Sequence, residues 1–497
     1  MKVLLINPPR INEIGGSTPE VLEKNRGQTP PLGILFIAAI LEELSHDVQV
    51  IDCQVELYNY VQVEAIIRSA EYDLLGLTVM TFSLIDSKMV SQLAKKHHPE
   101  RPIVWGGPHL HIYPNEAAHF PEVDYVCSSE GEMAIEHLVE HLSGHRAWEE
   151  VRGIGKEVDG KYHHNQSAVA VQDLDTLPVV ARHLTPYRKY TSILAKGETM
   201  TTLFTSRGCP YKCTFCDRPA LRPNFRARSA ANVVDEIEIC LSMGIDEFII
   251  YDDTFTVDKK RVHDICDLII DRGLRVYWDC RTNVNAMDEK LLEHMSRAGC
   301  VGIHHGVEAG TEKIQKQINK NLNLAKVAKT FRFTQKYGIK TMAYFILGNP
   351  TENRNDLEEG FKFLKEINPD LVHMTTLIPF PATQIYMQGL EDGIIKRDYW
   401  RDFAINPTVD FDLPHWPEYF TREELNDIVT NAYRDFYLRP SYILRRITQI
   451  RSMHELIKNI KFGIGVVFMK MRGGGATEKA GDLFDFTVAE STPDSPV

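Results

Sequence analysis

The sequence lacks the segments that direct a chain into or across a membrane. Its first residues, MKVLLINPP, have no charged start followed by an apolar stretch and a small-residue cleavage site. No uninterrupted apolar run approaches the roughly 20 residues needed to span a bilayer. With 497 residues, of which 43% are hydrophobic, the chain exceeds one ordinary core. We therefore expect two or three globular domains in a cytoplasmic protein.

Paired cysteines and an excess of positive charge are also missing. Nine cysteines are scattered over the chain, and this odd number argues against a disulfide framework and for reduced thiols. The net charge of -12 argues against nucleic acid as a general partner, because phosphate binding requires a basic surface. Any cluster of cysteines is therefore a candidate metal or redox site.

The first part of the chain alternates fully apolar runs with helical stretches. The runs are KVLLIN, VQVIDC, LLGLTVM, PIVWGG and DYVC. Apolar strands separated by amphipathic helices are typical of a parallel sheet that is covered on both faces. We expect residues 1–143 to form an open, doubly wound, Rossmann-like α/β domain, and residues 144–199 to form a connector with a hairpin at GKEVDGKYHH.

Small residues follow several of these strands. Gly106 and Gly107 come after PIVW, and Glu130 and Gly131 come after DYVCSS. In open parallel sheets, ligands bind beyond the carboxyl ends of the strands, where small residues allow close approach to the backbone. We expect a ligand-binding edge here; the alternative is that these are ordinary turn residues.

A second series of strands and helices follows the connector. Six strand-like runs, with helices between them, are TTLFTS, DEFIIYDD, RVYWDCR, VGIHHGV, IKTMAYFIL and DLVHMTTLI. Such repeated units predict a whole or partial TIM-like barrel over residues 200–395, with its active site at the carboxyl ends of the strands. We expect a helical region over residues 396–475 and a disordered tail over residues 476–497.

Residues 439–472 interleave Arg and Lys with Ile, Phe, Val and Met. The simplest interpretation is the amphipathic packing of a terminal helix. A membrane surface or a hydrophobic substrate would also fit the pattern.

The sharpest motif is formed by Cys209, Cys213 and Cys216, just past the first barrel strand, with the aromatic Phe215 before the last cysteine. Three thiolates that hold a cluster of four irons leave one iron open to a small ligand. A structural zinc ion would need four ligands, usually as two separated pairs, and no second pair lies nearby. The motif predicts a 4Fe-4S cluster.

Polar residues end the other barrel strands. Asp252 and Asp253 end the second strand, Arg281 the third and Glu308 the fourth, and Gly348 follows the fifth. Arginine offers a bidentate fork to a carboxylate, and glutamate can accept from hydroxyl groups. We expect these residues to face the active site, although ion pairs among them are the alternative.

With these motifs, residues 200–395 resemble the radical S-adenosylmethionine (SAM) superfamily. The resemblance implies that SAM chelates the open iron and is reductively cleaved to methionine and a 5'-deoxyadenosyl radical, with an electron donor such as flavodoxin or ferredoxin. It also implies that Arg281 and Glu308 hold the carboxylate and ribose of SAM, and that Gly348 lies at the adenine side.

The segments LLINPP, TPPLGILFIAAIL, GGPH and SEGE resemble the cobalamin-binding domain that precedes many such barrels, so the likeness extends over about residues 1–450. The D-x-H-x-x-G signature, which supplies a histidine to cobalt, is absent. This implies cobalamin bound without a protein histidine, or a domain that binds nothing. His46, His109 and His111 are the other histidines to consider, and none is assigned.

The segments NVVDEIE, DDTFT and NAYRDFYLRPSYILRRI resemble anaerobic magnesium-protoporphyrin IX monomethyl ester cyclase and related C-methylases. The resemblance implies hydrogen abstraction from an unactivated carbon, followed by methylation or oxidative cyclisation of a small, hydrophobic, tetrapyrrole- or lipid-like substrate. One alternative is a methylthiotransferase acting on RNA or protein, which requires three amino-terminal cysteines where only Cys53 and Cys127 precede the motif. Another is a non-catalytic iron-sulfur or corrinoid sensor.

Overall fold

The computed structural model describes residues 1–15, 27–167, 170–192, 197, 199–221, 224–449 and 453–469. The tail predicted over residues 476–497 lies outside this range. Within it, none of the helices combines the length and the apolar character that crossing a bilayer requires.

The first unit is built on a seven-stranded sheet in the order β2-β1-β3-β4-β5-β6-β7. The first five strands are parallel, and the last two pair antiparallel. Because the strand order reverses at β1, ligands are expected beyond the carboxyl ends of β1 and β3. The strands are β1 Lys2–Asn7, β2 Asp47–Asp52, β3 Leu74–Thr78, β4 Ile103–Gly106, β5 Tyr125–Cys127, β6 Ile154–Val158 and β7 Lys161–His164.

Helices cover both faces of this sheet, which confirms the doubly wound fold. Its helices are α1 Leu32–Glu43, α2 Tyr60–Ser69, α3 Leu84–His97, α4 Pro114–Ala118 and α5 Gly131–Leu142. One apolar core contains α1 and α5, and another contains α2, α3 and α4. The predicted hairpin forms β6 and β7, and it continues this sheet through pairing of Gly155 with Val126 instead of lying apart in a connector.

The second unit is an open half-barrel of six parallel strands in the order β8-β11-β12-β13-β14-β15, which confirms the partial barrel. A two-stranded ribbon, β9 with β10, lies beside it. The strands are β8 Met200–Leu203, β9 Ser206–Arg207, β10 Arg226–Ala227, β11 Glu247–Ile250, β12 Tyr277–Thr282, β13 Cys300–Glu308, β14 Lys340–Leu347 and β15 Leu371–Thr376.

Alternate residues of the barrel strands face two different surroundings. In β14, Ala343, Phe345 and Leu347 belong to the core under the outer helices, so Tyr344 between them faces the barrel interior. The helices of this unit are α6 Arg218–Leu221, α7 Ala230–Ser242, α8 Lys259–Asp271, α9 Glu289–Arg297, α10 Glu312–Gln317, α11 Leu324–Lys336 and α12 Arg354–Ile367.

Tyrosine hydroxyl groups close the open edge of the barrel at β15. The Tyr437 hydroxyl accepts from the amide of Val372 at 3.0 Å and donates to its carbonyl at 3.2 Å. The Tyr433 hydroxyl makes the same pair of bonds with Met374, at 2.7 and 3.1 Å. Because the two tyrosines are four residues apart on one helix, they match alternate residues of the strand. The edge is therefore satisfied without another strand.

Helices after the barrel join the two units. They are α13 Gln384–Glu391, α14 Tyr399–Ile405, α15 Arg422–Tyr437, α16 Pro440–Gln449 and α17 Met453–Val467. Trp400 and Phe403 of α14 are buried in the core of the first unit. Phe82, which follows β3, contacts Phe380, which follows β15, with ring centroids 5.5 Å apart. The carboxyl ends of the two sheets therefore face each other.

Candidate functional site between two sheet edges

The cysteine motif occupies a loop that is held from both sides. The amide of Thr214 donates to the carbonyl of Ile318 at 3.0 Å, and the amide of Ile385 donates to the carbonyl of Thr214 at 3.0 Å. The Phe215 ring packs against two small apolar clusters on either side of the loop. The aromatic residue of the motif therefore fixes the position of the loop.

The three thiols are partly exposed and influence one another. Burial raises the pKa of Cys213, with a smaller contribution from Cys209, and burial raises the pKa of Cys216 to about 12. Iron binding must therefore release protons from these thiols. Among the described residues, no group of three His, Cys, Asp or Glu side chains is placed to hold a metal ion, so the cluster assignment rests on the spacing of the motif.

Asp252 anchors the chain that leads into the cysteine loop. Its carboxylate accepts from the amides of Thr205 and Ser206, at 2.7 and 3.0 Å, and from their hydroxyls at 2.6 and 2.5 Å. The residue is fully buried, and its carboxylate oxygens bond to the chain just before the motif. Its neighbour Asp253 lies nearer the motif and accepts from Arg218 Nε at 2.8 Å.

Glu308 forms a buried ion pair that the sequence did not signal. Lys320 Nζ lies 2.6 Å from Glu308 Oε1, and both side chains are 9% exposed. Lys320 also lies 5.6 Å from the centroid of Phe215. A Cβ atom at Gly306 would lie 2.4 Å from Glu308 Oε1 and 2.6 Å from Lys320 Nζ. A side chain at position 306 would therefore displace the ends of the Glu308 and Lys320 side chains beside the cysteine loop.

The Arg281 guanidinium lies 4.0 Å from the centroid of the Tyr251 ring inside the barrel. No carboxylate among the described residues forms an ion pair with it. Burial raises the pKa of Asp279 and the charge of Arg281 opposes this rise, so that carboxyl lies near Arg281 without forming a direct ion pair. The bidentate fork of the guanidinium suits a carboxylate of a ligand.

A chain of polar side chains lies deeper in the barrel. His304 Nδ1 lies 2.9 Å from the Tyr344 hydroxyl, and His304 Nε2 lies 3.5 Å from Asp279 Oδ1. Burial raises the pKa of Asp279 to about 7 and lowers that of His304 to about 3. His304 is therefore uncharged near neutral pH, whereas Asp279 titrates close to it.

The turn after β14 is closed by a buried carboxylate. Glu352 Oε2 accepts from the amides of Gly348 and Asn349 at 2.7 and 3.0 Å. Gly348 has a positive φ of 82°, and a Cβ atom there would lie 2.7 Å from Leu425. Within the described chain, Asn349 Oδ1 and Thr214 Oγ1 are buried without a hydrogen-bond partner. Asn349 Oδ1 can therefore accept a hydrogen bond from a ligand. Thr214 Oγ1, which lies within the motif, can donate one or accept one.

The edge of the first sheet supplies backbone more than side chains. Gly107 follows β4 with a φ of 113°, and a Cβ atom there would lie 2.8 Å from the carbonyl oxygen of Val79. A Cβ atom at Gly106 would have only Cys127 Cβ as a near neighbour, at 3.7 Å. Gly131 starts α5 against Ile37, since a Cβ atom there would lie 2.8 Å from that side chain. A flat ligand could therefore approach the backbone closely at Gly106.

Glu130 joins the two units. It forms ion pairs with Arg226 and with Arg207, the latter at 3.3 Å, and Arg207 also lies 2.5 Å from Glu132. These side chains are 9–12% exposed. Sequence reasoning missed Arg207, although it stands two residues before Cys209, because its partners lie about 75 residues away. The ligand role predicted for Glu130 stays a prediction.

The three histidines of the first unit have different positions. His46 precedes β2 and contacts the amino terminus at 3.1 Å, so it lies at the opposite edge of the sheet. His109 is fully buried beside Thr81, and burial lowers its pKa to about 3. His111 Nε2 lies 3.1 Å from the carbonyl oxygen of Ser129. The other ring nitrogen of His109, Nε2, is buried without a hydrogen-bond partner in the described chain.

Comparisons with known proteins agree with this geometry. Residues 203–364 match the radical SAM superfamily, and residues 21–139 match the B12 binding domain. The uncharacterized methyltransferase PH0819 of Pyrococcus horikoshii is 30% identical over 452 residues, which cover 90% of this chain and 95% of that protein. The anaerobic magnesium-protoporphyrin IX monomethyl ester cyclase of Rubrivivax gelatinosus is 27% identical, covering 92% of this chain and 81% of that protein.

Two solved structures share the fold. The cobalamin-dependent SAM radical enzyme OxsB, with aqua-cobalamin and SAM bound, has a TM-score of 0.71 at 17% identity and covers 94% of this chain and 72% of that one. The methyltransferase TsrM of Kitasatospora setae, with cobalamin and a 4Fe-4S cluster, has a TM-score of 0.65 at 17% identity over 79% and 75%.

The chain belongs to the radical SAM superfamily, in the group whose members carry a B12-binding domain ahead of the barrel. It is an enzyme of the methyltransferase and cyclase branch, with a 4Fe-4S cluster, SAM and cobalamin as its cofactors. The methylthiotransferase and sensor alternatives are not favoured: Cys53 and Cys127 are both buried, and burial raises the pKa of each thiol.

Proposed function

We propose that this enzyme methylates an unactivated carbon of a small molecule. The observation that carries the proposal is the opposition of two sheet edges, fixed by the contact of Phe82 with Phe380 and by the ion pairs of Arg207 with Glu130 and Glu132. A substrate in the barrel mouth would then lie between the cysteine loop and the edge at Gly106. When bound, the cluster and SAM supply hydrogen abstraction, and methylcobalamin supplies a methyl group.

The site residues have distinct roles in this proposal. Cys209, Cys213 and Cys216 ligate the cluster, and Arg281 binds the carboxylate of SAM. Glu308, held by Lys320, accepts from the ribose hydroxyls.

The remaining contacts complete the cofactor sites. Gly348 gives room at the adenine side, Asp253 orients Arg218 beside Cys216, and Phe215 fixes the loop. The edge at Gly106 and Gly107 approaches cobalamin without a histidine ligand.

The substrate is proposed to be a small molecule, since the relatives' names specify a tetrapyrrole ester, a cytidylyl phosphonate and hopanoids. The polar interior at His304 and Tyr344 suits a substrate group that forms hydrogen bonds. A small electron-transfer protein such as flavodoxin or ferredoxin would supply electrons. The cytoplasmic location, the domain limits and a peripheral membrane contact remain predictions.

Oxidative cyclisation is the second candidate function. It is supported by the 27% identity to the cyclase of Rubrivivax gelatinosus over most of both chains. Cyclisation removes hydrogen from the substrate and needs no methyl donor.

Isotope labelling separates the two candidates. The anaerobically reconstituted enzyme is incubated with SAM labelled in its methyl group, cobalamin, a reductant and the magnesium-protoporphyrin ester or an extract of small metabolites. Methylation predicts a product that gains the labelled methyl group by mass spectrometry. Label that remains only in SAM and methionine, with a product that has lost hydrogen, would reject methylation in favour of cyclisation.

A further inference from the structure

The segment that leads from barrel strand β8 to the cysteine loop lies between two sheets. β8 pairs with β11 as far as Leu203, and β9 pairs with β10 from Ser206. Phe204 and Thr205 lie between these two pairings, and Thr205 is fully buried. Buried backbone groups that have no neighbouring strand need other hydrogen-bond partners. The partners of this segment therefore decide the direction in which the chain leaves the barrel.

Buried side chains from outside the motif supply these partners. Arg261 Nη1 donates to the carbonyl oxygen of Thr205 at 3.1 Å and to its hydroxyl oxygen at 3.0 Å. The Asp252 carboxylate accepts from the amide of Thr205 at 2.7 Å and from its hydroxyl at 2.6 Å. Arg228 Nη1 donates to the carbonyl oxygen of Phe204 at 3.0 Å. Thr205 is thus bonded at its amide, its hydroxyl and its carbonyl.

Arg261 and Asp252 hold Thr205 from two sides. Arg261 Nη2 lies 3.7 Å from Asp252 Oδ2, and the two side chains are 7% and 0% exposed. Arg261 lies in the first turn of α8, where the Asp258 side chain accepts from its amide at 3.0 Å. Arginine is almost never buried to this degree unless it is paired. Because the helix fixes its backbone and Asp252 lies beside its guanidinium, Arg261 gives Thr205 a fixed support.

Arg182 is a matched comparison on the same stretch of chain. Its side chain is 2% exposed, and its Nη1 lies 2.6 Å from Glu236 Oε1. Arg182 Nε donates to the hydroxyl of Thr201 at 2.9 Å, and Nη2 donates to the carbonyl of Thr202 at 2.8 Å. Both threonines belong to β8 and also pair with β11. Removal of Arg182 should therefore weaken the packing of the barrel without redirecting the loop.

We infer that Arg261, together with Asp252, is a positioning residue for the iron-sulfur site. In the described chain its hydrogen bonds reach no cysteine, so it acts through Thr205, four residues before Cys209. Residues that orient metal ligands in this way change metal affinity or activity by about 10–100-fold when they are substituted. The inference rests on the cluster and goes beyond the proposed function, since it holds for methylation and for cyclisation alike.

Cleavage by trypsin after Lys212 tests the position of the loop without any cofactor. Lys212 is exposed in the middle of the motif. The full-length, iron-free protein is treated with trypsin, and cleavage between Lys212 and Cys213 is followed by mass spectrometry. Arg261→Met is expected to raise the rate of this cleavage about tenfold, and Arg182→Met less than about twofold, because only the first frees the loop to open locally. A native rate in Arg261→Met, or equal acceleration by both variants, would overturn the inference.

The protein reconstituted without oxygen gives the second test. Loss of iron to a ferrous chelator is timed, binding of SAM is measured by equilibrium dialysis, and the EPR spectrum of the reduced cluster is recorded with and without SAM. Arg261→Met is expected to lose iron about tenfold faster and to bind SAM about tenfold more weakly, with a smaller change of the spectrum when SAM is added. Arg182→Met should stay within about twofold of the native protein in both measurements. Native iron retention and SAM binding in Arg261→Met would contradict the assignment.

A milder variant separates positioning from a loss of folding. Thermal unfolding of the iron-free proteins is expected to show a lower midpoint for both arginine variants, since each loses a buried ion pair. Thr205→Val keeps every charge and removes only the hydroxyl that Arg261 and Asp252 share. It is expected to raise the cleavage after Lys212 and the loss of iron by about fivefold. Native behaviour of Thr205→Val in both measurements would show that these contacts do not position the loop.

Discussion

The environment of each side chain explains why residues of one type have different roles at this site. Asp252 and Asp253 are neighbours, but the first is fully buried under four hydrogen bonds and the second pairs with Arg218 beside the motif. Glu308 pairs with Lys320, and a side chain at Gly306 would displace the ends of both. A few residues that contact no cofactor therefore set the shape of the site.

Gly306→Ala is expected to weaken SAM binding by about tenfold, which corresponds to ~1.4 kcal/mol. The new methyl group would displace the pair of Glu308 and Lys320, which it would otherwise approach to 2.6 Å or less. Equilibrium dialysis of SAM with the reconstituted protein measures the effect. Gly33→Ala is the control, because its Cβ atom meets nothing within 4 Å. Equal affinity in both variants would show that the ion pair does not position SAM.

Glu352→Gln is expected to change how stability depends on pH. Burial raises the pKa of Glu352 from 4.5 to about 7, so the folded chain keeps a proton that the unfolded chain loses between these values. Stability from this group therefore falls as the pH rises through that window, whereas glutamine does not titrate. Denaturation at a series of pH values should show the stability of the native protein, relative to the variant, falling by up to ~3 kcal/mol. A constant difference would contradict this.

The sequence predicted the site residues that are close together in the chain better than those that are far apart in the chain. Cys209, Cys213 and Cys216 lie in one short loop, so their spacing alone carried the signal. Lys320 and Arg207 act on residues 12 and about 75 positions away, and no periodicity or motif connects such positions before the chain folds. The lack of a hydrogen-bond partner for Asn349 Oδ1 could not be predicted either, because it depends on how the Glu352 carboxylate bonds to the turn.

At the scale of elements, the sequence predicted all six barrel strands because each is a short run rich in apolar and β-branched residues between amphipathic helices. It did not predict how the open edge is completed. Tyr433 and Tyr437 have the spacing of one helix face, which is typical of core residues. Their hydroxyls nevertheless form the hydrogen bonds with β15 that a neighbouring strand would otherwise form. The placement of α14 in the core of the first unit also depends on contacts far apart in the chain.

Tyr437→Phe is expected to destabilise the barrel by about 1–3 kcal/mol, since the amide and carbonyl of Val372 would lose their partner in a buried position. Urea denaturation measures the change. Tyr419→Phe is the matched control, because Tyr419 is 53% exposed and water can hydrogen-bond the groups near its hydroxyl once that hydroxyl is removed. If both variants lost the same stability, the hydroxyl would not serve the strand edge.

At the scale of the whole molecule, two kinds of contact hold the edges opposite each other. One is buried, through Arg207 with Glu130 and Glu132. The other is exposed, through Arg401 with Glu116 at 2.9 Å, where the arginine is 62% exposed. Buried ion pairs lose far more when one partner is removed than exposed pairs do, because the remaining charge stays desolvated.

Arg207→Met is therefore expected to destabilise the joined units by about 3–5 kcal/mol, whereas Arg401→Ala should cost about 1 kcal/mol or less. Calorimetry should show the first unit unfolding separately from the barrel in the Arg207 variant. Adding Glu132→Gln should restore part of the stability by removing the charge left unpaired, since Glu130 keeps its partner Arg226. Similar behaviour of the two arginine variants would mean that the apolar contacts alone join the units.

The most direct test of the account is the metal content and SAM reactivity of the chain reconstituted without oxygen. The account predicts about four irons per chain, cobalamin bound in the same preparation, and 5'-deoxyadenosine formed from SAM after reduction. Cys213→Ala should lose the iron and the cleavage while it retains cobalamin. Uptake of zinc in place of iron, or SAM left intact by the reduced native protein, would contradict the account.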